Sequence, residues 1–248
     1  MPVPTASPVL VLGAGPGLGL EVARRFGRAG HPVVLAARGA DRLDDHVAAL
    51  RTEGVTALAV PADLRDPDHR RNVVATAERE FGAVGVVYHG PGAADPTARA
   101  TPLAQSGPDE VRALVDAIVL PAVDIAALVL PGMIERGAGA LLLVTGLSAV
   151  QPLPIVGALA VPSGALHAYA LNLHAALRGT GVHAGALVIG GLVTGGDIHR
   201  HVVATPGVDP AVLPVLDPRE IADGAWDLAT QGDRPEIVFD ALTVGATA

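Results

Sequence analysis

Between Val9 and Gly19 the chain reads Val-Leu-Val-Leu-Gly-Ala-Gly-Pro-Gly-Leu-Gly, an apolar run that breaks into glycines at positions 13, 15, 17 and 19. Glycine lets the backbone turn sharply and lie close to a phosphate, and a helix beginning at this point offers unpaired N–H groups to its negative charge. This spacing suits a pyrophosphate cradle formed by Gly13, Gly15, Gly17, Leu18 and Gly19. The strand-like run before it and the helical pattern after it make a dinucleotide the leading ligand. A tight strand-to-helix turn with no ligand is the plain alternative. Groups able to move protons lie downstream: His89, then Thr145, Ser148, Ser163 and His167. Ser163 and His167 are four residues apart and can share one helix face, where an imidazole titrates near neutrality. Each of these side chains also has an ordinary use, as a capping hydroxyl or a hydrogen-bonded helix histidine. His199 and His201 flank Arg200, and a zinc site there is a poor reading, so no metal is expected.

What the chain lacks narrows the chemistry further. It has no cysteine, which excludes disulfides and thiolate catalysis, and all of its basic residues are arginine. Without lysine there is no Schiff base and no lysine-assisted proton relay. A formal charge of −8 argues against a nucleic-acid partner. Half the residues are hydrophobic but only 2% are aromatic, so the core must be built from Ala, Val and Leu. The first residues lack the charged and apolar regions of a signal peptide. No uninterrupted apolar run approaches the ~18–20 residues of a membrane span. A cytoplasmic protein with no membrane partner is the expectation.

The elements that must position these groups alternate along the chain. Strand-like apolar runs fall at 9–12, 33–36, 56–60, 84–88, 141–145, 184–189 and 236–239, with helical periodicity at 17–29, 41–53, 66–81, 109–136, 162–178 and 218–230. Continuous apolar strands separated by helices imply an α/β doubly wound Rossmann fold. Its seven-stranded parallel sheet would carry helices on both faces and ligands beyond the strand carboxyl ends. One domain, residues 1–248, is expected. The stretch 194–214, rich in Gly, Pro and His, reads as either a lid over a pocket or a surface excursion.

Several of these segments together resemble the short-chain dehydrogenase/reductase family across nearly the whole chain. Gly13-xxx-Gly17-x-Gly19 is similar to its nucleotide loop, and Val33-Val-Leu-Ala-Ala-Arg38 to its second strand. Ala62-Asp63-Leu64 resembles its adenine-contacting aspartate, and Ile189, Gly190 and Thr194 fall at the end of its sixth strand. The resemblance implies cofactor contacts from all of these and from Gly90. In the family an acidic residue ending the second strand holds the ribose of NAD. Here Ala37 is followed by Arg38, whose guanidinium can pair bidentately with a 2′-phosphate, so NADP(H) is preferred over NAD(H).

The same register implies losses. His89-Gly90-Pro91-Gly92 stands where the family has Asn-Asn-Ala-Gly. The helix asparagine falls on Ile118, the substrate-polarising serine on Gly146, and the Tyr-x-x-x-Lys signature on Leu159 to Ser163. Positioned acid catalysis is typically worth ~10²–10⁴ in rate, so ordinary ketone reduction is not expected. The leading expectation is an NADP(H)-dependent oxidoreductase acting on a small apolar iminium or activated alkene. The alternatives are a redox-neutral cyclase or isomerase and a catalytically inactive cofactor-binding protein. The helices 109–136 and 162–178 resemble those through which the family assembles, which implies a homodimer or homotetramer.

Overall fold

Val9, Leu10, Val11 and Leu12 have no exposed surface, a burial that a strand attains inside a sheet covered by helices on both sides. The computed structural model describes residues 3, 6–90 and 101–242; Pro91 and Gly92 lie outside them. In chain order its elements are β1 (Val9–Leu12), α1 (Leu18–Arg28), β2 (Val33–Ala37), α2 (Ala40–Thr52), β3 (Ala57–Pro61), α3 (Pro67–Phe81), β4 (Val86–His89) and α4 (Pro108–Arg136). There follow β5 (Gly139–Gly146), α5 (Ala160–Ala176), β6 (Val182–Gly190), β7 (Leu192–Val193), α6 (Asp197–Val203), β8 (Val215–Leu216), α7 (Pro218–Gln231) and β9 (Glu236–Asp240). The seven expected strands and six expected helices are present, each bounded within two residues of its sequence range.

The main sheet has the order β3-β2-β1-β4-β5-β6-β9 with every pairing parallel. Strand order reverses between β1 and β4, which opens a crevice at their carboxyl ends. Residues of α1, α2 and α7 share one core layer with Val9, Val33 and Leu187, while α3, α4 and α5 cover the opposite face. Helix starts follow local chemistry. The Asp66 carboxylate accepts the Asp68 N–H ahead of α3, Asp217 does the same for Arg219 ahead of α7, and each helix begins on proline. Helices α4 and α7 end on Gly137 and Gly232 in the left-handed conformation.

The helical stretches Pro108–Arg136 and Pro154–Ala176 are both long and apolar enough, by length and composition, to cross a membrane. An average along a helix tolerates isolated charges such as Asp116 and Asp124, whereas an uninterrupted-run criterion does not. Both stretches lie against the sheet, burying Val119, Ile125, Val129 and Met133 from the first and Leu166 and Ala170 from the second.

Candidate functional site

At the crevice, the turn after β1 is held by hydrogen bonds from the Gly13 and Ala14 N–H groups to the Ala36 carbonyl, at 2.9 and 3.2 Å. Gly13 has φ +84°, which side chains rarely adopt. Gly19 is pressed so closely on the turn that an added Cβ would stand 3.0 Å from the Gly13 oxygen and from Ala14 Cα. Gly15 is different: no atom lies within 4 Å of where its Cβ would be. The turn is therefore tight where helix meets strand and open at Gly15. Gly17 caps α1 without a side-chain acceptor; the Leu20 N–H donates to the Gly15 carbonyl, and the Leu18 and Gly19 N–H groups have no backbone acceptor among the described residues. These backbone groups fit a diphosphate.

At the end of β2, Arg38 is exposed and close enough to Asp63 to help hold that carboxyl low. The main cause is Arg65, whose guanidinium and backbone N–H both bond to Asp63, and together they bring its pKa down to about 2. Leu64 is fixed from behind. Arg70, almost fully buried, donates to the Leu64 carbonyl at 2.7 Å and to Asp124 Oδ2 of α4 at 2.5 Å. Sequence reasoning missed this pair, since neither charge carries a motif.

The end of β4 departs from expectation. The position of His89 at the mouth of the strand suits a proton relay, but the residue is 2% exposed and its Nδ1 has no partner among the described residues. Burial pushes its pKa down to about 4, so the imidazole is neutral. Gly90 bonds through its N–H to the Leu12 carbonyl. The Tyr88 hydroxyl lies against it, 2.7 Å from where a Gly90 Cβ would be, and burial raises that phenol above its ordinary range.

The carboxyl end of β5 and the start of α5 bring three hydroxyls together. Thr145 Oγ1 donates to the Ser163 carbonyl at 2.9 Å, and Ser163 Oγ donates to the Leu159 carbonyl at 2.8 Å. Around Gly146, the space that a Cβ would fill lies 3.5 Å from Ser163 Oγ and 3.6 Å from Ser148 Oγ. Ser148, half-buried, makes no hydrogen bond to the described residues. Leu159 is partly exposed here, and Ile118 packs on the edge of the α4–α5 core. His167 does not join them: its Nε2 lies 2.6 Å from Glu236 Oε2 of β9, at the edge of the sheet. The shared helix face brought Ser163 and His167 into one row, but each side chain takes a nearer partner.

The stretch 194–214 contains α6 and lies between β7 and β8, which pair in parallel. Thr194 donates its N–H to the Leu216 carbonyl. Gly196, the residue capping α6, lies on the glycine turn, 3.0 Å from where a Gly17 Cβ would be. Ile189 and Gly190 end β6, with Gly190 packed on Leu147. Among the described residues no group of three or more metal-ligating side chains is assembled.

A family model described as short chain dehydrogenase matches residues 7–201. The 1-deoxy-11-beta-hydroxypentalenate dehydrogenase of Streptomyces exfoliatus is 34% identical over 182 residues, covering 73% of this chain and 66% of that protein. The matches to the first curated relatives span only 57% to 66% of those proteins' lengths. Among solved structures, L-sorbose reductase from Gluconobacter frateurii, complexed with NADPH and L-sorbose, aligns with a TM-score of 0.78 at 22% identity, covering 97% of this chain and 98% of that one. A short chain oxidoreductase from Pseudomonas aeruginosa PAO1, described as containing an atypical catalytic center, aligns with a TM-score of 0.82 at 21% identity, covering 95% and 96%.

Proposed function

The chain belongs to the short chain dehydrogenase family, and on that premise we propose that it binds NADP(H) in preference to NAD(H) and reduces a small apolar iminium or activated alkene. The observation that carries this reading is the contrast between the two ends of the crevice. The nucleotide end offers an open glycine turn and an arginine at the close of β2, while the reaction end offers Leu159 and Gly146 and no lysine. The sorbose reductase, described with NADPH, supports the cofactor class, and the Pseudomonas aeruginosa structure with its atypical center supports departures at the reaction end.

In this reading the backbone of Gly13 to Gly19 and the N-terminus of α1 hold the diphosphate, and Arg38 takes the 2′-phosphate. Asp63 stays ionised and presents a carboxylate oxygen to the adenine. A nicotinamide held there would supply a hydride, which is all that an iminium needs to become an amine, whereas an activated alkene would need in addition one proton from solvent. Thr145 is committed to the Ser163 carbonyl and so braces the start of α5 against β5, while Ser163 is committed to the Leu159 carbonyl one turn back. Ser148 is the hydroxyl available to orient a substrate. Leu159 and Ile118 present apolar surface to the reaction end of the site and favour an apolar one. The apolar outer faces of α4 and α5 would join copies of the chain in a homodimer or homotetramer.

Calorimetric titration with NADPH and NADH tests the reading. Wild-type protein is expected to bind NADPH in the micromolar range and more tightly than NADH. Arg38→Ala should weaken NADPH by about tenfold or more, the loss of one charge-assisted pair, and leave NADH nearly unchanged. Equal losses for the two cofactors would remove the 2′-phosphate role. Binding without NADPH oxidation by cyclic iminium or enone substrates would replace the oxidoreductase with a cofactor-binding protein.

A further inference from the structure

Arg42 lies in the first turn of α2, four residues beyond Arg38, with its Cβ 3.9 Å from where a Cβ on the intervening Gly39 would stand. Its Cβ thus stands beside the backbone that follows Arg38. Nη1 reaches 2.7 Å to Oδ2 of Asp197, the first residue of α6, and Arg200 of α6 approaches the other carboxylate oxygen at 4.0 Å. Together with the seat of Gly196 on Gly17, this ion pair ties α6 across the nucleotide crevice to α2. Gly39 caps α2 without a side-chain acceptor, so the amides of its first turn add positive partial charge at the same corner. Asp41 in that turn opposes it. His46, one turn further along, is held below the ordinary imidazole range by burial first, then by Arg42, Arg24 and Arg200, with Asp45 acting the other way. The corner is electropositive, and Asp197 is the anion that α6 inserts into it.

We infer that Arg42 is a second selector for the 2′-phosphate of NADP(H), and that Asp197 is the carboxylate which that phosphate displaces, so that the phosphorylated cofactor frees α6 from α2. The inference rests on the NADP(H) binding proposed above. An arginine fork accepts a carboxylate or a phosphate in the same geometry. A phosphate monoester carries about −1.5 to −2 charges near neutral pH against one for the carboxylate, so it wins the exchange. Both partners of the present pair are substantially exposed, and an exposed pair changes an equilibrium constant by no more than about fivefold, which leaves it easily displaced. A cofactor without the 2′-phosphate offers no competitor, and the tie stays made.

The test is calorimetry on full-length wild type, Asp197→Asn, Arg42→Ala and the double variant, each with NADPH and with NADH at low ionic strength. Asp197→Asn is expected to tighten NADPH by about two- to fivefold, by removing the competing carboxylate, and to leave NADH unchanged. Arg42→Ala should weaken NADPH alone, and in that background Asp197→Asn should have no effect. Hydrogen exchange supplies a readout apart from affinity. Amides of residues 197–203 should exchange faster with NADPH than with NADH, approaching the rates of Asp197→Asn. Both side chains are exposed, so unchanged melting temperatures will show that the variants are folded. If wild type prefers NADPH while Asp197→Asn leaves its affinity unaltered, or Arg42→Ala weakens both cofactors alike, the latch falls and the cofactor reading stands. If wild type binds neither cofactor, or NADH as tightly as NADPH, the two fall together.

Discussion

A histidine closing β4 looked like a proton carrier because it stands at the carboxyl edge of the sheet, where ligands bind. It is instead buried, and that burial is set by packing which no local pattern reveals. His89 and His183 are both buried with pKa values brought down to about 4, by burial first in each case. A folded-state pKa below the unfolded value near 6.5 means that the unfolded chain takes up protons first. The stabilisation from keeping these rings neutral is thus complete above about pH 6.5 and is lost as pH falls toward 4. Urea unfolding followed through Trp226, the only tryptophan, should show the midpoint falling across that window. In His89→Leu the fall should be shallower, and an unaltered pH dependence would show that His89 is not buried as described. The glycines, by contrast, were legible, since Gly13 and Gly19 have no substitute at a positive φ or a 3.0 Å approach. Ser148 and Ser163 were legible as candidates, but the hydrogen bond that commits Ser163 and leaves Ser148 available emerged only with the fold.

Periodicity served the long elements well and the short ones poorly. The helices Pro67–Phe81 and Pro218–Gln231 each carry a pattern and a cap that announce them. The helix Asp197–Val203 has seven residues, and its flanking strands have two each. Segments that short hold too few side chains to show a period, and they form because β7 and β8 find each other across the intervening chain. Element-to-element ties were equally hidden. Arg70 links α3 to both α4 and the Leu64 carbonyl, so it aligns the loop that carries Asp63. Arg70→Met should cost about 1–3 kcal/mol, because it strands a carbonyl and leaves Asp124 without its cation. Asp124→Asn should cost less, since its partner keeps the Leu64 bond and the carboxylate is itself partly exposed. Thermal or chemical denaturation of the two variants checks this order, and equal losses would place the energy in the ion pair alone.

At the scale of the molecule, the outer faces of α4 and α5 are apolar to a degree that folding of one chain does not explain. Leu120, Leu128 and Ile134 of α4 and Val161 of α5 are exposed, while the opposite sides of both helices are buried on the sheet. Exposed patches of this kind mark association surfaces. A core poor in aromatic residues is compatible with this arrangement, because small side chains let helices from two chains approach closely. Two occupants fit the face: a second copy, as we propose, or the apolar layer of a membrane, which the length and composition of both helices would also suit. The copy is favoured by the charges along α4. Asp116 and Asp124 lie within its length, and Asp124 is bound to Arg70, an arrangement costly to carry into lipid. Light scattering on purified protein should therefore give two or four times the chain mass of 24.9 kDa. Leu120→Glu combined with Leu128→Glu should return it to a single chain without loss of helix content, since neither side chain supports the core. A wild-type protein already at the mass of one chain would remove the assembly, and one that floats with lipid vesicles would give the face to the membrane instead.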